Sequence, residues 1–152
     1  MSEVNRNALI GSFVIFIAFF LALAVLDFQV MHATAENWPD WVYKYWISLA
    51  FVVVIFAAAT TWIGHSYGMP DKQLPALFST VILLFLAGLL DMFYYLLTVL
   101  KGENYNFDQW SAQHKWFVVT GLLPEWTWNH QIIWMTACFA IIAVIWWRTL
   151  RK

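Results

Sequence analysis

The sequence from Leu74 to Leu100 reads LPALFSTVILLFLAGLLDMFYYLLTVL and contains a single charged residue, Asp91. A helix rises about 1.5 Å per residue, so a stretch of this length can cross the roughly 30 Å hydrocarbon core of a membrane. The backbone must satisfy its own hydrogen bonds there, and the alternating pattern of a membrane β-strand is absent. The stretch therefore predicts a transmembrane helix with one carboxylate inside it.

Three further apolar stretches accompany this one, and together they predict spans at about 8–31, 46–63, 74–100 and 131–147. The short connection between the second and third spans contains Gly68 and Pro70, which favours antiparallel neighbours. We therefore expect an all-α membrane protein in which residues 1–152 form a single domain, a bundle of four antiparallel transmembrane helices. The first stretch is longer than the apolar part of a signal peptide, so we expect it to be retained.

The composition agrees with a membrane environment, because the chain is 62% hydrophobic, 20% aromatic and only 11% charged. We expect the lipid bilayer to surround it. A net charge of −1, with no basic block, gives no indication of nucleic-acid binding. The single cysteine, Cys138, excludes an internal disulfide and a cysteine-rich metal site.

The distribution of Lys and Arg predicts the orientation. The side that holds both termini carries five of these residues, and the other side carries three, namely Lys44, Lys101 and Lys115. The positive-inside rule then places both termini in the cytoplasm, and we expect the membrane to be that of a bacterial or archaeal cell. Eight of the 11 tryptophans fall in the outer half, which is more than an anchoring belt requires.

The outer loop between the third and fourth spans is predicted to contain a short interfacial helix at about Phe107–Thr120. Asn106 and Gln109 have the spacing of a capping box, and Gly121 with Pro124 forms a stop signal. Such a helix would lie at the membrane surface with its aromatic side towards the lipid.

Asp91 is the main candidate for a functional residue. It is expected about 14 Å below the outer interface, where a charged group is costly and is usually paired or functional. Tyr94, Tyr95 and Thr98 follow on the same helix face, and Asp27 lies near the outer end of the first span. These residues predict a buried polar cluster that links helices, a proton relay, or a ligand-binding carboxylate.

Three histidines on the outer side, His32, His114 and His130, suggest a second kind of site. With a carboxylate such as Glu125 they could hold copper or another transition metal, and His32 with His130 could ligate a haem. The sequence contains no HxH, HxxxH or HExxH pattern, so the spacing itself does not support a metal site.

Three functions remain open at this stage, and the sequence does not decide whether the protein is an enzyme. The first is a small integral subunit of a larger membrane complex, such as a respiratory or metal-dependent oxidising assembly, with other membrane subunits or a second copy as partners. The second is a stand-alone metal- or haem-binding redox protein. The third is a small proton-coupled transporter that uses Asp91.

Overall fold

The computed structural model describes residues 3–33, 42–115, 118 and 121–151, without the side chains of residues 3–9, 32, 33, 42 and 43. The described part is helical and has no strand. A 3-10 turn, Asp71–Gln73, follows the second helix. Among the described residues, the helices are α1 (Glu3–Ala33), α2 (Val42–Ser66), α3 (Leu74–Leu86), α4 (Leu89–Leu100), α5 (Phe107–His114) and α6 (Trp128–Leu150).

Three of these helices are long and apolar enough to cross a membrane, over Ile10–Met31, Lys44–Ser66 and Trp128–Leu150. The pair α3–α4 makes a fourth if it is counted as one bent span. Large apolar side chains such as Phe51 and Ile133 remain exposed on these helices, as lipid-facing side chains do. The expected all-α class is therefore confirmed for the described residues, and three to four helices apolar enough to cross a membrane suggest an integral membrane protein.

The third apolar stretch differs from the prediction because it is not one continuous helix. It breaks at Ala87 and Gly88, and α3 and α4 meet there at a bend of 44°. Gly88 has φ +79° and ψ 29°, the left-handed conformation that ends helices and that glycine adopts without a steric penalty. Hydropathy alone does not reveal this break, because the residues on both sides of it are apolar.

The two helices on either side of the break have different main neighbours. α3 packs mainly against α2 and α6, whereas α4 packs against α1. Most of the buried apolar residues form one core; its most completely buried members include Phe16, Phe20, Val53, Val81 and Leu84. A smaller aromatic core, Met31, Tyr94, Phe107 and Trp110, lies where α4 and α5 meet.

The predicted capping box starts α5. The side chain of Asn106 accepts from Gln109 N at 2.8 Å, and the Gln109 side chain accepts from Asn106 N at 3.4 Å. The helix ends at His114, earlier than predicted, because Lys115 has an extended backbone with φ −72° and ψ 122°. Its Phe107 and Trp110 are buried against other helices. The predicted last turn, at 116–120, falls largely outside the described residues.

The start of α6 is attached to α5. Asp108 Oδ1 accepts from the backbone N–H of Trp128 at 2.7 Å, which places a carboxylate at the positive end of the α6 dipole. Ser111 Oγ also donates to the carbonyl of Trp126. Lys115, one residue beyond α5, is therefore held close to the beginning of α6.

Candidate functional site

The helix break exposes two backbone carbonyls, and α6 provides the donors for them. Trp134 Nε1 donates to Leu86 O at 2.6 Å, and Gln131 Nε2 donates to Ala87 O at 2.9 Å. Gln131 is fully buried, and its Oε1 accepts from Trp126 Nε1 at 2.8 Å. Because an apolar environment contains no water to take these roles, the side chains of α6 stabilise the break.

A charged pair lies next to the break. Asp91 is in the first turn of α4, where the positive end of the helix dipole favours a carboxylate. Lys115 Nζ donates to Asp91 Oδ2 in an ion pair, and Lys115 is only 2% exposed. The Asp91 side chain is 37% exposed, so this carboxylate is the accessible member of the pair.

Gly88 permits the close packing of this pair against the break. A Cβ atom at this position would lie 2.8 Å from Gln131 Nε2 and 3.1 Å from Lys115 Nζ. It would also lie 3.3 Å from Asp91 Oδ2. The glycine is therefore required both for its backbone conformation and for the space that the polar side chains occupy.

A cavity of about 350 Å³ lies beside the charged pair. Its polar walls are Asp27, Asp91, His114 and Lys115, contributed by α1, α4 and the end of α5. The remaining lining residues are apolar or aromatic: Trp46, Ile47, Leu49, Ala50, Phe85, Leu86, Leu90 and Trp134. Apolar walls with a few convergent polar groups are typical of small-molecule sites.

The rim of the cavity lies on the apolar outer surface of the bundle. Three lining residues are also substantially exposed: Ile47 at 57%, Leu86 at 50% and Trp134 at 43%. They belong to α2, α3 and α6, so the mouth opens between these helices. A molecule that is dissolved in the surrounding lipid could reach the charged pair by this route.

Asp27 is the second carboxylate of the cavity and is more buried than Asp91. It is 7% exposed, and its Oδ1 has no hydrogen-bond partner among the described residues. The hydroxyl of Tyr45 lies beside this carboxyl group. A buried carboxylate oxygen without a donor is costly, so Asp27 has unused capacity to accept a hydrogen bond.

The three hydroxyl-bearing residues that follow Asp91 on the same face of α4 do not line the cavity. Tyr94 is buried, with its ring 5.6 Å from that of His114. Tyr95 donates to Tyr105 O at 3.4 Å, and the Thr98 hydroxyl donates to Tyr94 O in its own helix at 3.1 Å. The described cavity walls include none of Tyr94, Tyr95 and Thr98. The structure thus brings Asp91 together with Asp27 and His114.

The predicted metal ligands do not gather in the described part of the chain. His114 Nδ1 donates to Trp110 O at 2.9 Å, and His130 Nδ1 accepts from Thr127 N at 3.1 Å as part of the α6 capping box. Glu125 is exposed. No three described His, Cys, Asp or Glu side chains lie close enough to hold a metal ion. The side chain of His32 is outside the described residues, so a metal or haem site that includes it stays a prediction.

Lys115, Gln131 and Trp134 are the site residues that sequence reasoning missed. The sequence places Lys115 among the charged residues of the outer loop. A carboxylate inside a membrane, however, requires a cation or a proton. Lys44, Lys101 and Lys115 are the cations predicted on the outer side, so the need for a cationic partner of Asp91 narrows the candidates to three residues. Gln131 and Trp134 satisfy carbonyls that became available only through the break, and no sequence signal indicates them.

No known protein family matches this sequence, and no curated protein or solved structure is significantly similar to it. A function must therefore be argued from the chemistry of the site itself.

Proposed function

We propose that this protein is a small proton-coupled carrier with four antiparallel spans, in which the bent pair α3–α4 forms the third span. Asp91 is nine residues from Leu100, the end of α4, or about 14 Å along the helix axis. The ion pair and the cavity then lie near the centre of the bilayer. Both termini are cytoplasmic in this arrangement, as the Lys and Arg distribution favours.

The observation that carries the proposal is the coincidence of a broken helix, an ion pair and a cavity. Carriers commonly bind substrates and coupling ions near the membrane midplane, where interrupted helices present their ends to the ligand. Charged residues inside membrane spans are rare and mark such pathways. Here the break at Gly88 supplies the helix end, and Asp91 and Lys115 supply the charges.

The chemistry of the ion pair suggests how a proton is coupled to movement. Proton transfer to Asp91 neutralises the carboxylate that attracts Lys115, and this attraction is strong where little water screens it. The lysine follows directly after α5, so weakening the pair changes what holds that helix in place. Asp91 is the more exposed partner and lines the cavity, so a proton or a ligand can reach it.

Reconstitution in liposomes that contain a pH-sensitive dye tests this proposal. Three solutes share a phenylbutyl body and differ in head group: 4-phenylbutylamine, 4-phenylbutanol and 4-phenylbutyrate. We expect one of them to drive a proton flux through the wild-type protein, above the rate in protein-free liposomes. Asp91→Asn should abolish this flux, because an amide cannot exchange the proton.

A matched pair of variants tests the role of the cavity. Ala50→Phe fills it, whereas Ala58→Phe adds the same ring to an exposed position of the same helix. The first should remove the flux and the second should retain it. A flux that survives Asp91→Asn, or the absence of flux with all three solutes, would contradict the proposal.

The two other functions rest on composition and residue types rather than on the cavity. Membership in a respiratory or metal-dependent oxidising complex stays a prediction, as does a copper, transition-metal or haem site. Purification from native membranes, with metal analysis and an absorption spectrum, tests both.

A further inference from the structure

We infer that the ligand of this cavity is an organic cation, with an ammonium group bound by Asp27 and an aromatic or aliphatic body held by the apolar walls. The inference rests on the proposed function, because it names the ligand class of the same cavity. It is argued from three features: the charges, the donors and acceptors, and the wall composition.

The charges of the cavity leave one carboxylate without a counterion. Lys115 is paired with Asp91, which leaves Asp27 without a cation among the lining residues. His114 Nδ1 donates to Trp110 O, so this ring nitrogen is not available to Asp27.

The cavity also has more hydrogen-bond acceptor capacity at Asp27 than its neighbouring donors can fill. Asp27 Oδ1 is buried without a partner among the described residues. The neighbouring Tyr45 hydroxyl has a single proton and can serve only one carboxylate oxygen at a time. A ligand ammonium brings up to three N–H donors together with a positive charge, and charge-assisted bonds of this kind are the stronger ones.

The walls suit the body of such a ligand. Trp46, Phe85 and Trp134 present aromatic rings, whose faces attract cations. The volume of about 350 Å³ is at the small end of the range for ligand sites, which suits one ring with a short chain. The apolar rim favours an amphipathic molecule that partitions into lipid first.

Other head groups fit less well. An anion would reach Lys115 only by displacing Asp91, and it would be repelled by Asp27. A neutral alcohol could donate one hydrogen bond but would leave the charge of Asp27 uncompensated. The order of affinity is therefore expected to be amine, then alcohol, then carboxylate.

Equilibrium dialysis at neutral pH against protein in lipid nanodiscs tests this order. The probes are radiolabelled 4-phenylbutylamine, 4-phenylbutanol and 4-phenylbutyrate, with empty nanodiscs to subtract partitioning. The amine should bind the wild-type protein about tenfold or more tightly than the alcohol. Asp27→Asn should remove this preference, whereas Asp71→Asn, which removes an exposed carboxylate from the turn before α3, should retain it.

The outcomes separate the ligand class from the existence of the site. Tightest binding of the alcohol or the carboxylate, lost in Ala50→Phe, overturns the cation inference but leaves the cavity as a binding site. Unchanged amine affinity in Asp27→Asn also overturns it. Equal binding of every probe to wild type and Ala50→Phe overturns both this inference and the proposed function. The ranking of probes on the wild-type protein does not depend on the folding of any variant.

Discussion

Lys115 is a buried cation just beyond the end of α5, and it forms an ion pair with Asp91 on α4. Such a pair contributes little net stability when both partners are present, because removing two charges from water is costly. Loss of one partner destabilises the protein, because the remaining charge then lies in an apolar environment without a counterion. The pair therefore fixes the position of the segment after α5 relative to α4.

Lys115→Met should destabilise the protein by about 3 kcal/mol, because Asp91 loses its cation. The double variant Lys115→Met with Asp91→Asn should lose less than the sum of the single variants, with a coupling of about 1 kcal/mol or more. Unfolding in mixed detergent and SDS measures these differences.

Lys101→Met is the matched control. Lys101 pairs with Glu103 at 3.6 Å, but its side chain is 52% exposed, so its loss should cost less than about 1 kcal/mol. Equal effects at the two lysines, or strict additivity at Lys115 and Asp91, would contradict the prediction.

Single residues were predictable where the physics is local. Asp91 stands out because a carboxylate in an apolar span is costly, and Asp27 was identified on the same ground. His114 was predicted only as a possible metal ligand. Lys115 was not, because its sequence position is typical of a loop and only the path of the chain brings it 24 positions back to Asp91. The convergence of these four residues on one cavity is a property of the fold.

At the scale of helices, the break at Gly88 determines the geometry of the site. It ends α3, begins α4 two residues before Asp91 and exposes the carbonyls that bind Gln131 and Trp134. A continuous helix would satisfy these carbonyls internally, and the side chains of α6 would have no acceptors there. The break and the polar side chains of α6 therefore require each other.

Gly88→Ala should disrupt the site by two separate effects. The left-handed backbone costs about 1 kcal/mol for a residue with a Cβ, and the new atom would lie 2.8 Å from Gln131 Nε2. The expected total is about 2 kcal/mol or more, measured by the same unfolding assay.

Gly102→Ala isolates the first effect. Gly102 has φ +88° with nothing within 4 Å of the added Cβ, so only the backbone cost applies. If Gly88→Ala and Gly102→Ala lowered the free energy of unfolding by the same amount, the close approach of the added Cβ to Gln131 would contribute nothing to the loss.

The helices themselves were largely predictable, because long apolar stretches in lipid have few alternatives. The ends of α1, α2 and α6 lie a few residues beyond the predicted ones, and the capping box of α5 was recognisable from Asn106 and Gln109. The break was not, since glycine is common inside membrane helices and hydropathy does not change across it. What stabilises the break lies on α6, more than 40 positions away.

For the whole molecule, specific contacts define two ends of the bundle. Lys72 Nζ donates to Arg151 O at 3.5 Å, which brings the start of α3 to the end of α6. Lys101 Nζ lies 5.3 Å from the Phe28 ring, which brings the end of α4 near the end of α1. If α3–α4 is one bent span, these two ends face opposite sides of the membrane.

Cysteine labelling tests this topology in a Cys138→Ala background, since Cys138 is the only native cysteine. An impermeant maleimide added to intact cells should label Lys101→Cys, and it should label Lys72→Cys only after permeabilisation. Labelling of both from the same side would mean that α3–α4 enters and leaves the membrane on one side. The proposed midplane position of Asp91 would then be wrong.

The division of contacts at Gly88 has a mechanical consequence. α3 is bonded to α6 by Trp146 Nε1 to Thr80 Oγ1 at 2.8 Å and by Trp134 Nε1 to Leu86 O, and it packs against α2, whereas α4 packs mainly against α1. The cavity has walls from both sets of helices, with Trp134 on α6 and Asp27 on α1. A change in the bend angle at this glycine would therefore change the width of the cavity.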